Sequence, residues 1–382
     1  MIFFSKCHTR IALVAVAAMI TASFHSTQAA TEADARAITQ AFDKSYRAWT
    51  AEMKLAAAAG SAHVAAKKRP DAAAASKRLK SLISKDLAKD WTLDYAAWLL
   101  ENDTALTPEH QRALLDAVEK NHVKSPRLGR FCMGLIYLDQ GAELPKPGQP
   151  PVRTRGMNLL KRVKNENPDP KVQGQASLAL SMMLASLGDD PRIMQGRIKN
   201  LREAIIKSAE IPVGELTVAQ IAEDELYKIK HLTKGRLAPP IQGVDSGGRA
   251  MQLAQFKGKV VMLVFWSSWD AETAVMQRLL EGLRKTTQSN LGKPIEVIGV
   301  NRDSRQNLRT LEADGLVTWK NFSDQTQKIA NDYRVATWPY CLVLDQQGVI
   351  RYRGNVGALA NAVANDLILR TKPDAETKPA GL

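Results

Sequence analysis

Cysteine is scarce in this chain, with three in 382 residues. Cys7 lies ahead of the apolar run Ile11 to Ile20 rather than at its end, so it does not read as a lipid-attachment site. Cys132 and Cys341 remain in the body of the protein; an oxidising compartment would let them pair, but two cysteines are not a disulfide framework. A phosphate-binding glycine loop, histidines paired at metal-ligand spacing and a Gly-x-Ser-x-Gly elbow are all missing. Nucleotide, metal and serine-hydrolase chemistry therefore lack a sequence basis, and no cofactor or metal is expected. Of the six histidines, His8 and His25 fall near the N-terminus and the other four lie before residue 235. The formal charge is +14, yet Lys and Arg are scattered among acids and clusters such as Lys67, Lys68, Arg69 are brief. No aromatic-plus-basic motif accompanies them, so the charge reads as a solvated surface and no nucleic acid is expected.

At the N-terminus Lys6 and Arg10 precede the apolar run, and the small-residue stretch Thr27, Gln28, Ala29, Ala30 follows it. That order is a secretory signal, with cleavage expected after Ala29 or Ala30. A spanning helix needs about 20 apolar residues, and this core is shorter. The mature chain is therefore expected to be exported, periplasmic or secreted, with no integral span. Roughly 350 mature residues exceed one ordinary core and imply two domains. The expected division is a signal peptide over 1–29, an α-helical region over 30–235, an α/β domain over 236–372 and a flexible tail over 373–382.

Between residues 31 and 235 apolar side chains recur at helical spacing, with Pro and Gly between segments. The spacing predicts helices over 33–59, 72–84, 92–101, 108–121, 126–138, 153–164, 170–187, 197–208 and 216–232. Thr107 before Pro108 and Ser125 before Pro126 are capping signals. Three stripes repeat: Leu128, Cys132, Ile136; then Val172, Ala176, Leu180; then Val218, Ala222, Leu226. Their offsets of 44 and 46 residues suit helical hairpins of the HEAT or TPR kind, whose helices stack into a shared core. Cys132 fills the slot that Ala176 and Ala222 fill elsewhere, which marks it as a small packing residue.

After Gly235 the pattern changes. Ala238, Pro239 and Pro240 break the last helix and are read as a linker, and Asp245 to Gly248 suits a hairpin turn. Val260 to Phe265 is a continuous apolar run, as a strand buried on both faces requires. Further strands are expected over 295–300, 340–345 and 349–352, and helices over 270–287, 305–314, 326–333 and 358–369. Such alternation predicts an α/β sandwich around a mixed sheet.

Four ordered segments then carry a family likeness: Leu237 to Ile241 with Gly247-Gly248 and Leu253 to Trp269; Ile298 to Asp303; Tyr333 to Pro339; and Val343 to Ile350. They resemble the redoxin branch of the thioredoxin superfamily, the TlpA and ResA type, in which a helical region sometimes precedes the domain. The resemblance implies thiol–disulfide exchange by a Cys-x-x-Cys pair directly after the Trp matched by Trp269. Here those positions are Asp270 and Thr273, with Ala271 and Glu272 between them. A family cysteine at that helix start is activated by backbone N–H groups and the helix dipole. Asp270 keeps the charge and can cap the helix, but it cannot attack a disulfide. Asp270 and Glu272 read either as a new acid or cation-binding pair or as helix capping, and capping is the expectation.

Pro339 matches the superfamily's cis-proline, which shapes a peptide groove, and Trp338 beside it either stacks on a ligand or packs on Trp269. Cys341 falls in a core strand and reads as buried. The resulting expectation is a non-catalytic groove of Trp269, Asp270, Ala271, Glu272, Thr273, Trp338 and Pro339 that binds another envelope protein or an extended peptide. The competing expectation is a redox enzyme using Cys341, alone or with Cys132.

Overall fold

Capping side chains set where the helices of the first half begin. The computed structural model describes residues 31–58, 68–138, 150–269, 273–289 and 292–370. The expected signal peptide and tail lie outside these residues. Helices run over α1 (Glu32–Ala58), α2 (Ala73–Ile83), α3 (Leu93–Asn102), α4 (Pro108–Asn121), α5 (Gly129–Gly134), α6 (Val152–Glu166), α7 (Pro170–Leu184), α8 (Pro191–Ser208) and α9 (Val218–His231). Thr107, Asp169 and Asp190 each accept a backbone N–H at the start of α4, α7 and α8, with Pro at the first helical position. Thr217 and Gln220 form a reciprocal capping box on α9. The Asp190–Pro191 cap starts α8 earlier than the predicted 197, because its first two turns carry few apolar residues to reveal them. The predicted helix over 126–138 is α-helical only in α5 and tightens to a 3-10 turn over Leu135–Tyr137. A two-residue hairpin, β1 (Pro212–Val213) with β2 (Leu216–Thr217), joins α8 to α9.

The three sequence stripes meet in one core. Leu128, Cys132, Val172, Ala176, Leu180, Val218 and Ala222 are buried there, and Ile136 and Leu226 pack against it. Helix α5 packs on α7, and α7 touches α9, so the second helices of successive hairpins stack. Buried Asn167 ties the turns between them: its amide donates to the carbonyls of Val123 and Ser125 at 2.8 and 2.9 Å.

The stretch read as a linker is stitched into the second half. Gly235 donates to the Ile350 carbonyl, Ile350 to Arg236, and Ala238 to Gly348, while Leu237 bridges to Val349. Leu232, just past α9, is buried with Ile241 and Phe265, and Tyr227 packs on the same cluster. Hydrogen bonds to a hairpin distant in sequence are invisible to local pattern, so the Pro-rich stretch reads from sequence only as a linker.

The sheet that follows has the order β7-β6-β5-β8-β9. Its strands are β5 (Val260–Trp266), β6 (Ile295–Asn301), β7 (Lys320–Ser323), β8 (Tyr340–Leu344) and β9 (Ile350–Gly354). The β5, β6 and β7 strands are parallel, and β8 and β9 are antiparallel additions, giving the expected mixed sheet. A separate hairpin, β3 (Gln242–Val244) with β4 (Ala250–Gln252), turns at Asp245 to Gly248, where Gly248 takes a φ of 86°. Strand β7 was not predicted; Lys-Asn-Phe-Ser offers no apolar run. All seven residues of β5 are buried, alternating between two layers. Val261, Leu263 and Phe265 face α12 (Lys328–Asp332) and the β3–β4 hairpin. Val260, Met262, Val264 and Trp266 face α10 (Thr273–Ser289), α11 (Arg305–Ala313) and α13 (Ala358–Leu369).

One polar contact is sealed between these layers. Trp266 Nε1 donates to Asn321 Oδ1 at 3.0 Å, and Asn321 donates to the Trp319 carbonyl. Gly299 on β6 leaves room for it: a Cβ there would meet Asn321 Oδ1 at 1.7 Å.

Candidate ligand groove

Strand β5 delivers Ser267, Ser268 and Trp269 to the sheet end where α10 begins. Asp303, just beyond β6, pins this turn. Its carboxylate accepts the Ser268 N–H through both oxygens, at 3.2 and 3.0 Å, and the Asn301 side-chain amide at 3.1 Å. Asn307 donates to the Ser268 hydroxyl at 3.0 Å. Burial pushes the Asp303 carboxyl above its ordinary range, and the hydrogen bonds from Asn301 and Ser268 only partly oppose it.

The neighbouring Arg302 does something the sequence did not announce. Its guanidinium lies over the Trp269 ring at 4.2 Å from the centroid and over the Trp338 ring at 4.1 Å, a cation held between two indoles. Its Nη1 reaches Gln327 Oε1 at 3.4 Å. Burial lowers its pKa to about 10, with Asp303 acting the other way. Trp338 in turn sets its edge on Phe265, with centroids 6.2 Å apart and planes at 80°, and Phe265 contacts Tyr333 at 5.4 Å. The Trp338–Pro339 peptide bond is cis, and β8 starts at the next residue.

Of the groove residues read from sequence, Trp269 and Trp338 are brought together, with Arg302 between them in place of the direct ring contact that was one of two readings. Pro339 adjoins Trp338. Asp270, Ala271 and Glu272 lie outside the described residues; Thr273 heads α10, and its side chain is likewise outside them. Arg302 and Asp303 fell within a segment of family likeness but carried no role, since their contacts are made by residues far away in sequence.

The two thiols are elsewhere. Cys341 pairs across from Val264 and is fully buried in the layer that holds Trp266. Cys132 is buried in the helical core. Both are free, and burial pushes each thiol up to about 12. No group of three or more His, Cys, Asp or Glu suits a metal ion among the described residues, and none of their helices is long and apolar enough to cross a membrane. A second concavity of about 960 Å³ is lined by the helical half, including Phe42, Tyr46, Glu101, Arg130 and Tyr137.

Comparison with known proteins finds partial matches. Residues 235–353 match the AhpC/TSA family. The chloroplastic peroxiredoxin Q of Sedum lineare is 26% identical over 127 residues, 31% of this chain and 67% of the relative. Among solved structures, the thioredoxin domain of a thiol-disulfide oxidoreductase from Bacteroides vulgatus is 23% identical, covering 36% of this chain and 98% of that one, with a TM-score of 0.32. A thiol peroxidase from Chromobacterium violaceum is 20% identical, covering 36% of this chain and 86% of that one, with a TM-score of 0.31. The C-terminal part is thus similar to the AhpC/TSA family over residues 235–353, and a helical region precedes it.

Proposed function

We propose that this protein is an exported binding module in which a redoxin domain has given up thiol–disulfide exchange and holds an extended segment of another envelope protein. The domain limits proposed are 30–235 for the helical region and 236–372 for the redoxin domain. The groove proposed comprises Trp269, Trp338 and cis Pro339, with Asp270, Ala271, Glu272 and Thr273 assigned to it from the sequence. The observation that carries this reading is the Trp269–Arg302–Trp338 stack. It supplies an aromatic and cationic surface that includes Trp269, the residue directly before the position at which the family resemblance implies a nucleophilic thiol. Asp270 and Thr273 supply neither an attacking nor a resolving sulfur, and the two thiols among the described residues, Cys132 and Cys341, are buried and held protonated at neutral pH.

Insulin reduction by dithiothreitol tests the reading on three proteins: wild type, Cys341→Ser, and Asp270→Cys with Thr273→Cys. The expected result is an inactive wild type and an active double variant, since the scaffold would again place a cysteine at a helix start. An active wild type that loses activity in Cys341→Ser would overturn the reading in favour of a relocated redox thiol.

A further inference from the structure

A guanidinium carries five N–H donors, does not release its proton in ordinary conditions, and is expensive to bury with donors unmet. Arg197 on α8 is 1% exposed. Its Nη2 donates to Glu225 Oε2 at 2.9 Å, while Nε and Nη1 have no acceptor among the described residues. Arg197 lines a cavity of about 200 Å³ between α8, α9 and the segment that runs from Tyr333 into β8. That volume is well above the roughly 10–15 Å³ that one water requires.

The rest of the lining is rich in cations. Lys228 shares Glu225 with Arg197, at 2.7 Å. Arg334 pairs with Asp224 at 2.8 Å, and Arg353 with Asp189 at 3.2 Å. Four cations thus face three carboxylates, and one of those carboxylates serves two of the cations. Arg353 repels Arg197 directly, and burial together with that repulsion lowers the Arg197 pKa although Glu225 opposes it. Tyr340 adds a phenol to the same wall.

We propose that this cavity is a binding site for a small oxyanion, bound by the unmet Nε and Nη1 donors of Arg197 with Arg353 and Lys228 around it. An apolar ligand would leave the buried donors unmet, and a metal cation would add to the excess charge. Two or more oxygens on one anion match the fork of a guanidinium and relieve the repulsion between the two arginines. The site joins α8 and α9 to the loop that carries Trp338 and Pro339, so occupancy would tie the helical half to the rim of the groove. The proposal does not depend on what the groove binds.

Titration calorimetry of the full chain tests it, with inorganic phosphate and with acetate as probes, against chloride at matched ionic strength to remove general screening. The expected result is saturable binding in the millimolar range or tighter. The affinity should fall about tenfold or more in Arg197→Met and in Arg353→Gln, the factor carried by a lost charge-assisted hydrogen bond. Lys259→Gln, at a cation outside the cavity lining, should bind as wild type does. Phosphate binding that acetate does not displace assigns a tetrahedral anion; equal binding of acetate assigns a carboxylate. Absence of saturable binding of either probe, or undiminished binding by both arginine variants, overturns the proposal. If Arg197→Met fails to fold, Arg353→Gln paired with Lys228→Gln gives the same reading.

Discussion

Replacing Arg302 by methionine removes the charge between Trp269 and Trp338 while leaving an unbranched apolar chain between the rings. Both indole faces lie well inside the roughly 6 Å range of a cation–π contact, at 4.2 and 4.1 Å, and the site is partly desolvated. At about 0.5–2 kcal/mol for each contact, the two together contribute on the order of 1–3 kcal/mol after allowing for the burial of the cation, which opposes them. Urea unfolding followed by circular dichroism should show Arg302→Met with a lower midpoint at unchanged slope. Arg302→Lys should fall between the two, since an ammonium retains the charge but not the planar face. The native tryptophan emission should also change in the methionine variant. Equal or greater stability of Arg302→Met, with unchanged emission, would refute the idea that the stack holds the groove together.

Two further outcomes follow from buried groups. Gly299→Ala places a Cβ 1.7 Å from Asn321 Oδ1 and 2.7 Å from Trp266 Nε1, so it must break the sealed hydrogen bond or move β6. A loss of about 2–4 kcal/mol is expected by thermal or urea unfolding, combining overpacking with an unmet buried polar group. The thiols of Cys132 and Cys341 have folded pKa values near 12, raised from 9.0 by burial. Because the folded values lie above the unfolded one, their contribution to stability is complete below pH 9 and is lost as pH rises toward 12. Native protein at pH 8 should resist iodoacetamide and take up the reagent at both positions once unfolded; rapid labelling of the native protein would contradict the burial argument.

Much of the architecture was legible in the chain. The 3.6-residue stripes gave the stacked helices because one apolar face per helix must be covered, and Cys132 could be placed from its alanine counterparts alone. The continuous run Val260 to Phe265 marked the central strand, since only a strand covered on both faces tolerates it. Asp245 to Gly248 gave its hairpin through turn chemistry that acts within four residues. Strand β7 escaped notice because pairing with β6 makes it a strand, whereas Lys-Asn-Phe-Ser carries no pattern of its own.

What the sequence determined by itself was local: periodicity, caps, turns, and the presence of Asp270 and Thr273 where the likeness implies cysteines. Only the tertiary structure decided that Arg302 enters between Trp269 and Trp338, that Asp303 pins the Ser268 turn, and that residues 235–238 hydrogen-bond to the β8–β9 hairpin. It also brought Arg197 of the helical half to Arg353 of the sheet. Each of these contacts joins residues that are far apart in sequence and polar at one or both ends. Charge and hydrogen bonding have no period along a chain, so such partners appear only when folding brings them within reach.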